Sequence, residues 1–568
     1  MKFTKYCQII LLIITFQLFC SSPVRAVQEF STDYQSIYTI SGDGTTNVIH
    51  TITINNNLAN IFPKEYTLSV GTTNLTNILA IDANNISLPV TSTINTNQNN
   101  IHVSLNNPNI GYNQKNTIKI SYSTTEVVIH NGQVWEINIP RLKQGGEMAN
   151  VERIVQFPET LGSPTASYPS PDETKTDQGQ TQVTYRGNRQ EAISLLFGKG
   201  QWYQVDLDYE LTPPLSKNSL TEISLPPDTP YQQVILASIN PAPSIVVADV
   251  DGNWLARYPY NENFTTQVHA QLFVQVSPIP LFPDPSSVDL PEYLTGNQYW
   301  NIDNSLVKDT AARLKTSKNI YDYLVSTFIY NSSRITPGAD RLGASSAIES
   351  PSQALCTEFT DTFVALSRSS RIPSREINGY ALSNNTKLRP LDLETDVLHA
   401  WPEYYNATTK VWTQVDPTWG NTTGGLDYFN KLDYNHIAFV RRGLEPTYPY
   451  PAGVYKKSVN QKTIKVKIAD AVTPSTKNYT VTQEQNTYRI RNTGNSALIK
   501  QAIKLPDGSD YTVTYLPPYG EQTTQSTLGA KSTNTLNLII IIATIASLGL
   551  IIAITAYLTK RHKRKNIN

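Results

Sequence analysis

Three residues in the second half of the chain have the types and spacing needed for nucleophilic chemistry. Cys356 precedes a segment with helical periodicity, His399 opens the run His-Ala-Trp, and Asp416 opens the run Asp-Pro-Thr-Trp-Gly. A thiolate is a strong nucleophile, an imidazole can carry its proton, and a carboxylate can orient the imidazole. The pattern therefore predicts a cysteine nucleophile, a histidine base and an orienting aspartate.

Cys356 is expected to be the single cysteine of the mature chain, because the other two, Cys7 and Cys20, fall within an N-terminal leader. A lone thiol cannot form an internal disulfide, so another role is needed. The alternative is a buried, inert cysteine that packs as a small apolar side chain. For Cys20, a lipid-attachment site is a second alternative, although the bulky Phe19 disfavours it.

Both ends of the chain carry membrane signals. Residues 1–26 combine a basic start, an apolar stretch and a small-residue cleavage site at Ala26, which is typical of a signal peptide. Residues 536–558 are almost wholly apolar and long enough to cross a bilayer as a helix. The basic segment 559–568 predicts a cytoplasmic tail. The sequence thus predicts a single-pass cell-membrane protein with a large ectodomain outside.

Composition excludes some classes of function. Among 568 residues, Lys+Arg and Asp+Glu are equal at 46 each, so the zero net charge gives no support for nucleic acid as a partner. The sequence offers no zinc or phosphate-binding motif, and we expect neither a metal nor a cofactor. Asn-x-Ser/Thr sites are consistent with an exported glycoprotein; they begin at Asn74, Asn85, Asn263, Asn331, Asn384, Asn406, Asn421 and Asn478.

Alternating apolar and polar residues dominate the first half of the chain and predict β-sandwich structure. We expect one β-sandwich domain at 27–161, a linker at 163–182 and a second β region at 183–277. The second region is either a separate sandwich or the other half of the first. Near the C-terminus, the pattern predicts a small β module at 476–520 and a polar stalk at 521–535.

Between these β regions, residues 292–443 predict an α+β domain. Helical spacing covers 309–328 and 356–370, and strand-like runs follow at 374–377, 399–405 and 411–415. A hairpin between the last two strands would place His399 opposite Asp416. Cys356 would then stand at a helix N-terminus, where the helix dipole favours the thiolate.

The motifs of this domain resemble the transglutaminase-like, papain-like-fold superfamily of cysteine enzymes. The resemblance rests on ALCTEF at 354–359, FVAL at 363–366, RIPSR at 371–375, GY at 379–380, HAWPE at 399–403 and WTQVDPTWG at 412–420. One departure is Arg371, which stands where the family usually has glycine. The segment from Asp433 to His436 resembles a late segment of the family, which we interpret as structural.

The resemblance implies thiol acyl transfer or hydrolysis on protein or peptide amides, and the membrane signals predict that these substrates lie at the cell surface. Cys356 would be the nucleophile, His399 the general base and acid, and Asp416 the orienting carboxylate. Trp401, Trp412 and Trp419 would line an acyl-binding groove or, as an equal alternative, pack the core. The rival hypothesis is a non-catalytic adhesion or cell-envelope protein that uses the domain as a scaffold.

Overall fold

The computed structural model describes residues 28–95, 98–142, 148–187, 191–214, 216, 218–260, 266–286, 289–336, 339–383, 389, 398–458 and 461–525. The predicted signal peptide (1–26), membrane segment (536–558) and basic tail (559–568) lie outside these residues. Within the described part of the chain, no helix has the length and hydropathy needed to cross a membrane. The chain divides into two compact units, which are described separately.

The first unit comprises the described residues of Met1–His130, Trp135–Gly198 and Thr423–Asp427. Several of its strands bury alternate residues, as the strand that contains Val48 and Ile52 does. In chain order the strands are β1 Phe30–Ile40, β2 Thr46–Asn56, β3 Glu65–Val70, β4 Thr76–Asp82, β5 Val90–Asn95, β6 Gln98–Ser104, β7 Lys115–Thr124, β8 Val128–Asn131, β9 Val134–Ile139, β10 Met148–Pro158, β11 Ala166–Tyr168, β12 Glu173–Asp177, β13 Gln180–Arg186 and β14 Ile193–Phe197.

The largest sheet of this unit has the strand order β12-β13-β10-β1-β2-β7-β4, and smaller sheets have the orders β3-β6-β5 and β11-β14-β9-β8. Segment 163–182, which the sequence predicts as a linker, instead contains β11, β12 and the start of β13. Its polar composition has a structural reason: β12 is an edge strand with mostly exposed side chains. The first unit therefore extends to Gly198 instead of ending near 161.

The second unit opens with the second β region, which begins at Lys199. Its strands are β15 Gln201–Glu210, β16 Leu220–Leu225, β17 Gln232–Asn240, β18 Ile245–Ala248, β19 Trp254–Pro259 and β20 Gln267–Val276. β17, β20 and β15 are neighbours in one sheet, and β16, β19 and β18 form another. A core that includes Tyr203, Leu225 and Trp254 is buried in this region.

The α+β domain follows. It contains helices α1 Ser305–Leu314, α2 Ser317–Thr327, α3 Ala344–Glu349, α4 Cys356–Ser369 and α5 Pro417–Thr422, and strands β21 Ser374–Ala381, β22 His399–Asn406, β23 Val411–Gln414 and β24 His436–Arg442. Short 3-10 turns lie at Leu290–Leu294, Ser332–Arg334 and Pro351–Gln353. The strands form one antiparallel sheet in the order β23-β22-β21-β24.

The helix predicted at 309–328 is two helices. Lys315 adopts a left-handed conformation with φ of 65° and ends α1, and its backbone N–H is bonded to the Ala311 carbonyl. Thr316 then caps α2 by accepting a hydrogen bond from the backbone N–H of Asn319 at 3.2 Å. Helical periodicity continues across the break, which is why the sequence shows one segment.

The C-terminal strands are β25 Ile464–Ile468, β26 Tyr479–Glu484, β27 Thr487–Asn492, β28 Leu498–Lys504, β29 Asp510–Leu516 and β30 Glu521–Gln525. β25 pairs with β15 and so extends the sheet of the second β region. β30 pairs with β27, so residues 521–525 belong to the C-terminal β module and not to a stalk. Ile490, Leu498 and Val513 are buried in the core of this module.

Candidate active site

Cys356 is the first residue of α4 and is partly exposed. The helix begins at Cys356 because the buried carboxylate of Glu358, in the first turn, accepts hydrogen bonds from backbone N–H groups that precede the helix. Its Oε2 accepts the backbone N–H of Leu355 at 2.8 Å, and its Oε1 accepts that of Leu342 at 3.0 Å. The N-terminal peptide dipoles of a helix stabilise an anion, so this position favours a thiolate.

His399 is the first residue of β22 and is buried. Its Nε2 lies 2.9 Å from Oδ2 of Asp416, which must accept because an ionised carboxylate has no proton to donate. The other ring nitrogen, Nδ1, is thereby left for a second partner, and Cys356 lies close enough to raise the pKa of the imidazole. The structure thus brings the three predicted residues together in the order Cys356, His399, Asp416.

Asp416 is held by the backbone on both sides. Its own N–H donates to the carbonyl of Tyr428 at 2.9 Å, and its Oδ1 accepts the N–H of Trp419 at 3.0 Å in the first turn of α5. Pro417 follows and starts that helix. The β22–β23 hairpin brings Asp416 back to His399, as the strand pattern predicts. The carboxylate is therefore fixed before any substrate arrives.

Burial and charge act in opposite directions on these groups. Burial by itself would lower the pKa of His399, but the charge and hydrogen bond of Asp416 and the contact with Cys356 raise it to about 9. Burial would likewise raise the pKa of Asp416, but the charge of His399 and the hydrogen bonds from His399 and His436 hold it well below its ordinary value. The site therefore favours an imidazolium beside an ionised carboxylate.

The three tryptophans proposed for an acyl groove are all buried. Trp401 and Trp419 stack on the His399 ring, with centroids 5.7 and 5.3 Å away. Trp412 lies elsewhere, with its ring 4.1 Å from the guanidinium carbon of Arg375. The rings pack around His399 and against the sheet instead of lining an open groove, because the inward face of the sheet must be covered by apolar surface.

A second histidine, His436, contacts the site. Its Nε2 lies 3.2 Å from Oδ2 of Asp416, and its Nδ1 lies 2.7 Å from Oδ1 of Asp433. The sequence shows the Asp-x-x-His spacing, but nothing in it places the segment beside Asp416, because the approach depends on β24 lying next to β21. The nitrogen or oxygen atoms that His399, Asp416 and His436 could offer to a metal lie within 4.8 Å of one another, so these residues could also hold a metal ion.

Tyr330 is a further residue close to Cys356. It makes a parallel bridge with Ala354, two residues before the nucleophile. Burial raises the pKa of Tyr330 above its ordinary range, and the negative charges of Cys356, Asp416 and Glu358 raise it further. The phenol therefore stays neutral and can only donate or accept a hydrogen bond in its protonated form. No sequence signal marks Tyr330, because the bridge is a tertiary contact.

A buried ionic cluster supports the strand that carries His399. Arg375 of β21 is fully buried, and its Nε donates to Oε1 of Glu403 on β22 at 2.5 Å. The same guanidinium donates to Oδ2 of Asp284 at 2.8 Å and to the Tyr293 hydroxyl at 3.1 Å. Because Arg375 and Glu403 are register partners, the cluster ties the two central strands together.

The backbone geometry at two positions of this domain, Arg371 and Gly379, favours glycine. Arg371, where the family usually has glycine, adopts a φ of 62°, which costs an L-residue about 1 kcal/mol or more. Gly379 lies directly opposite His399 in the sheet. A Cβ at Gly379 would clash with the Ile437 carbonyl oxygen and lie 2.8 Å from Trp401, so the strands must approach closely here.

We therefore expect Gly379→Ala to destabilise the domain by about 1–3 kcal/mol, because the added methyl forces a backbone shift. The shift acts on His399 directly, so activity should fall as well. Thermal unfolding and a substrate assay of the purified variant measure both. Gly42→Ala is the matched control, since a Cβ there meets nothing within 4 Å. Equal unfolding temperatures for the two variants would contradict the close approach.

Comparison with known protein families identifies a domain in the part of the chain that contains this site. Residues 301–417 match the family model described as the transglutaminase-like superfamily, so the chain carries a transglutaminase-like domain. This match includes Cys356, His399 and Asp416, and it ends before His436. No curated protein sequence matches the chain.

Several solved structures are similar at low identity. A candidate cysteine protease from Cytophaga hutchinsonii is 13% identical with a TM-score of 0.27, covering 58% of this chain and 91% of that one. The periplasmic domain of TgpA from Pseudomonas aeruginosa is 16% identical with a TM-score of 0.23, covering 40% and 92%. An M1 zinc metallopeptidase mutant from Deinococcus radiodurans is 11% identical with a TM-score of 0.21, covering 34% and 46%. These similarities are too weak to assign an activity.

Proposed function

We propose that the transglutaminase-like domain of this chain is a thiol-dependent enzyme that transfers or hydrolyses acyl groups of protein or peptide amides. The observation that carries the proposal is the hydrogen bond between His399 and Asp416, together with the position of Cys356 at a helix N-terminus close enough to act on the pKa of His399. A partly exposed thiol at a helix N-terminus, a buried imidazole and a fixed carboxylate together match the requirements of nucleophilic catalysis. A structural cysteine needs neither partner.

The mechanism follows from these positions. The Cys356 thiolate attacks the carbonyl carbon of a carboxamide or peptide bond, and the oxygen becomes an oxyanion that the backbone N–H of Cys356 can receive. The C–N bond then breaks, and the His399 imidazolium gives its proton to the leaving nitrogen. A thioester on Cys356 remains. Water or an amine attacks it while His399 takes up a proton, and the thiolate leaves. Water gives deamidation or proteolysis, and an amine gives crosslinking.

We further propose that the enzyme works at the outer face of the cell membrane. Support comes from the sequence alone: the signal-peptide pattern of 1–26, the apolar segment 536–558 and the basic tail 559–568. Its substrates would then be proteins or peptides at the cell surface, and the β regions would hold the domain away from the bilayer. Protease accessibility of the domain on intact cells tests this orientation.

The rival function is a non-catalytic adhesion or cell-envelope scaffold. The contact between Cys356 and His399 counts against it, since a scaffold gains nothing from keeping a thiol beside an imidazole. Labelling of the full-length protein with a thiol-directed acyl probe decides between the two, with Cys356→Ala as the control. Specific labelling of Cys356, together with amine incorporation or amide hydrolysis lost in the variant, supports the enzyme. Equal behaviour of variant and wild type in every assay overturns it.

The alkaline limit of activity is a separate prediction. Because the folded pKa of His399 is raised to about 9, its proton is present below that pH and lost as the pH rises through it. The imidazolium is needed to protonate the leaving nitrogen, so kcat/KM should fall above about pH 9. A pH profile of kcat/KM from about pH 5 to about pH 11 measures this. A fall centred near the ordinary histidine value, about 6.5, would contradict the assigned ion pair.

A further inference from the structure

The seven-stranded sheet of the first unit carries a row of apolar side chains on its solvent-facing side. The register places Ile37 of β1 between Ile49 of β2 and Ile154 of β10. Ile49 is 44% exposed, and the other two are partly exposed. Across Ser121 of β7, the row continues to Leu79 of the edge strand β4, which is 61% exposed. Single apolar residues on a surface are ordinary, but a contiguous row marks an interaction surface.

Polar rows lie on both sides of this apolar row, because alternate residues of a strand face the same side of a sheet. One side has the row Asn47, Thr39 and Gln156. The other side has two rows: Thr51, Gln35, Glu152 and Arg186, and beyond them Thr53, Asp33 and Asn150. Successive rows are about 7 Å apart, so an apolar band runs between bands of amides, hydroxyls and carboxylates. We call these four rows the striped face.

The two polar rows on that second side line an open cleft with a volume of about 400 Å³. Their side chains hold one another in place. Nε2 of Gln35 donates to Oε2 of Glu152 at 2.7 Å, and Nε of Arg186 donates to Oε1 of Glu152 at 3.1 Å. Nδ2 of Asn150 donates to Oδ1 of Asp33 at 2.8 Å. These planar groups are therefore oriented before a ligand arrives, which lowers the entropy cost of binding.

We propose that the striped face binds a neutral polysaccharide chain. A sugar ring has C–H groups on its faces and hydroxyls around its rim. A chain that lies along the apolar row puts ring faces on Ile37, Ile49 and Ile154 and hydroxyls over the polar rows. Each hydroxyl can donate to a carboxylate and accept from an amide or a guanidinium. The apolar row crosses five strands, or about 19 Å, and so has room for several rings.

The charges and polar groups of the cleft favour this ligand over other polymers. Glu152 is countered by Arg186, and Asp33 accepts from the amides of Asn150 and Asn55, at 2.8 and 3.5 Å. A nucleic acid or an acidic polymer would bring its anions against these carboxylates, which is unfavourable. A lipid or an apolar peptide would cover the polar rows without replacing their bonds to water.

Calorimetric titration of the full-length protein in a sugar-free detergent tests the proposal. The probes are the neutral hexasaccharides of β-linked glucose, N-acetylglucosamine, xylose and mannose. We expect at least one to bind with a Kd between about 1 μM and 1 mM. Ile49→Thr removes apolar contact but keeps a β-branched residue, and Gln35→Ala removes an amide from the cleft. Each should weaken binding about tenfold or more.

The matched control is Ile94→Thr. Ile94 is a 65% exposed isoleucine of β5, outside the striped face, so its variant should bind like the wild type. Binding of none of the four probes overturns the proposal, and so does equal binding by wild type, Ile49→Thr and Gln35→Ala. Heat from calcium chloride alone, with none from the sugars, would assign the cleft carboxylates to a cation instead. A monosaccharide that binds as tightly as its hexamer would exclude a site that follows the row.

A second measurement locates the bound chain. In full-length protein with ¹³C-labelled isoleucine methyl groups, the signals of Ile37, Ile49 and Ile154 are assigned through isoleucine-to-valine variants. These signals should shift when the hexasaccharide binds, whereas that of Ile94 should not. Shifts that spare all three residues overturn the proposal. Cys356→Ala protein should give the same shifts, so a failure of the proposed catalysis leaves this result unchanged, and a failure here leaves the catalysis unaffected.

Discussion

Replacing Asp416 by asparagine should reduce kcat by about ten-thousand-fold, the loss expected when a triad carboxylate can no longer hold the correct histidine tautomer. Oδ2 accepts from His399 and His436, and Oδ1 accepts the backbone N–H of Trp419. An amide has one nitrogen, and in either orientation that nitrogen faces a group that already donates. Asparagine therefore fits the space of Asp416 but not its hydrogen bonds.

The rate loss is measured as kcat in the amide-hydrolysis or amine-incorporation assay, with folding checked by thermal unfolding. Asp208→Asn is the control, because Asp208 holds an exposed histidine in the same way and outside the site. Labelling of Cys356 should also become slower at neutral pH, since the imidazolium that stabilises the thiolate loses its counter-charge. An Asp416→Asn enzyme with near wild-type kcat would exclude Asp416 as the orienting group.

Replacing Arg375 by methionine should destabilise the second unit by about 3–5 kcal/mol, the usual cost of removing one partner of a buried ion pair. Glu403 would be left fully buried without its charged partner, whereas Asp284 would keep Arg441, which contacts both of its oxygens at 2.9 Å. The loss should appear in urea unfolding followed by tryptophan fluorescence. Every tryptophan except Trp135 lies in this unit, so the signal reports on it.

The pH dependence of the destabilisation by Arg375→Met shows whether the buried charge of Glu403 causes it. Burial already raises the pKa of Glu403, and removal of Arg375 raises it further. In both proteins the folded state then binds this proton more tightly than the unfolded chain does, and in the variant it does so more tightly still. Stability relative to wild type should therefore decrease as the pH rises through the raised folded-state pKa of Glu403 in the wild type, and recover on acidification. The double variant Arg375→Met with Glu403→Met should regain much of the loss. A pH-independent loss would indicate a packing defect instead.

Local patterns predicted much of the domain because the predicted catalytic residues lie at or next to the ends of helices and strands. The spacing of Phe359, Phe363 and Leu366 indicates the helix that starts at Cys356, and the two strands of the hairpin alternate clearly on either side of 406–410. Local patterns failed where an element was exposed or interrupted. β12 looks like a linker because it is an edge strand, and Lys315 breaks a helix without any proline or glycine.

Local sequence patterns were enough to predict Cys356, His399 and Asp416 as a set, because a helix start and a hairpin are features that a few neighbouring residues encode. The surroundings of these residues are visible only in the three-dimensional structure: His436 bonded to Asp416, Tyr330 bridged to Ala354 close to Cys356, and Arg375 of β21 bonded to Glu403 of β22. These contacts join segments that are distant in the chain, through the strand order β23-β22-β21-β24. Neither periodicity nor spacing records which strands become neighbours, because that choice depends on burying the whole core at once.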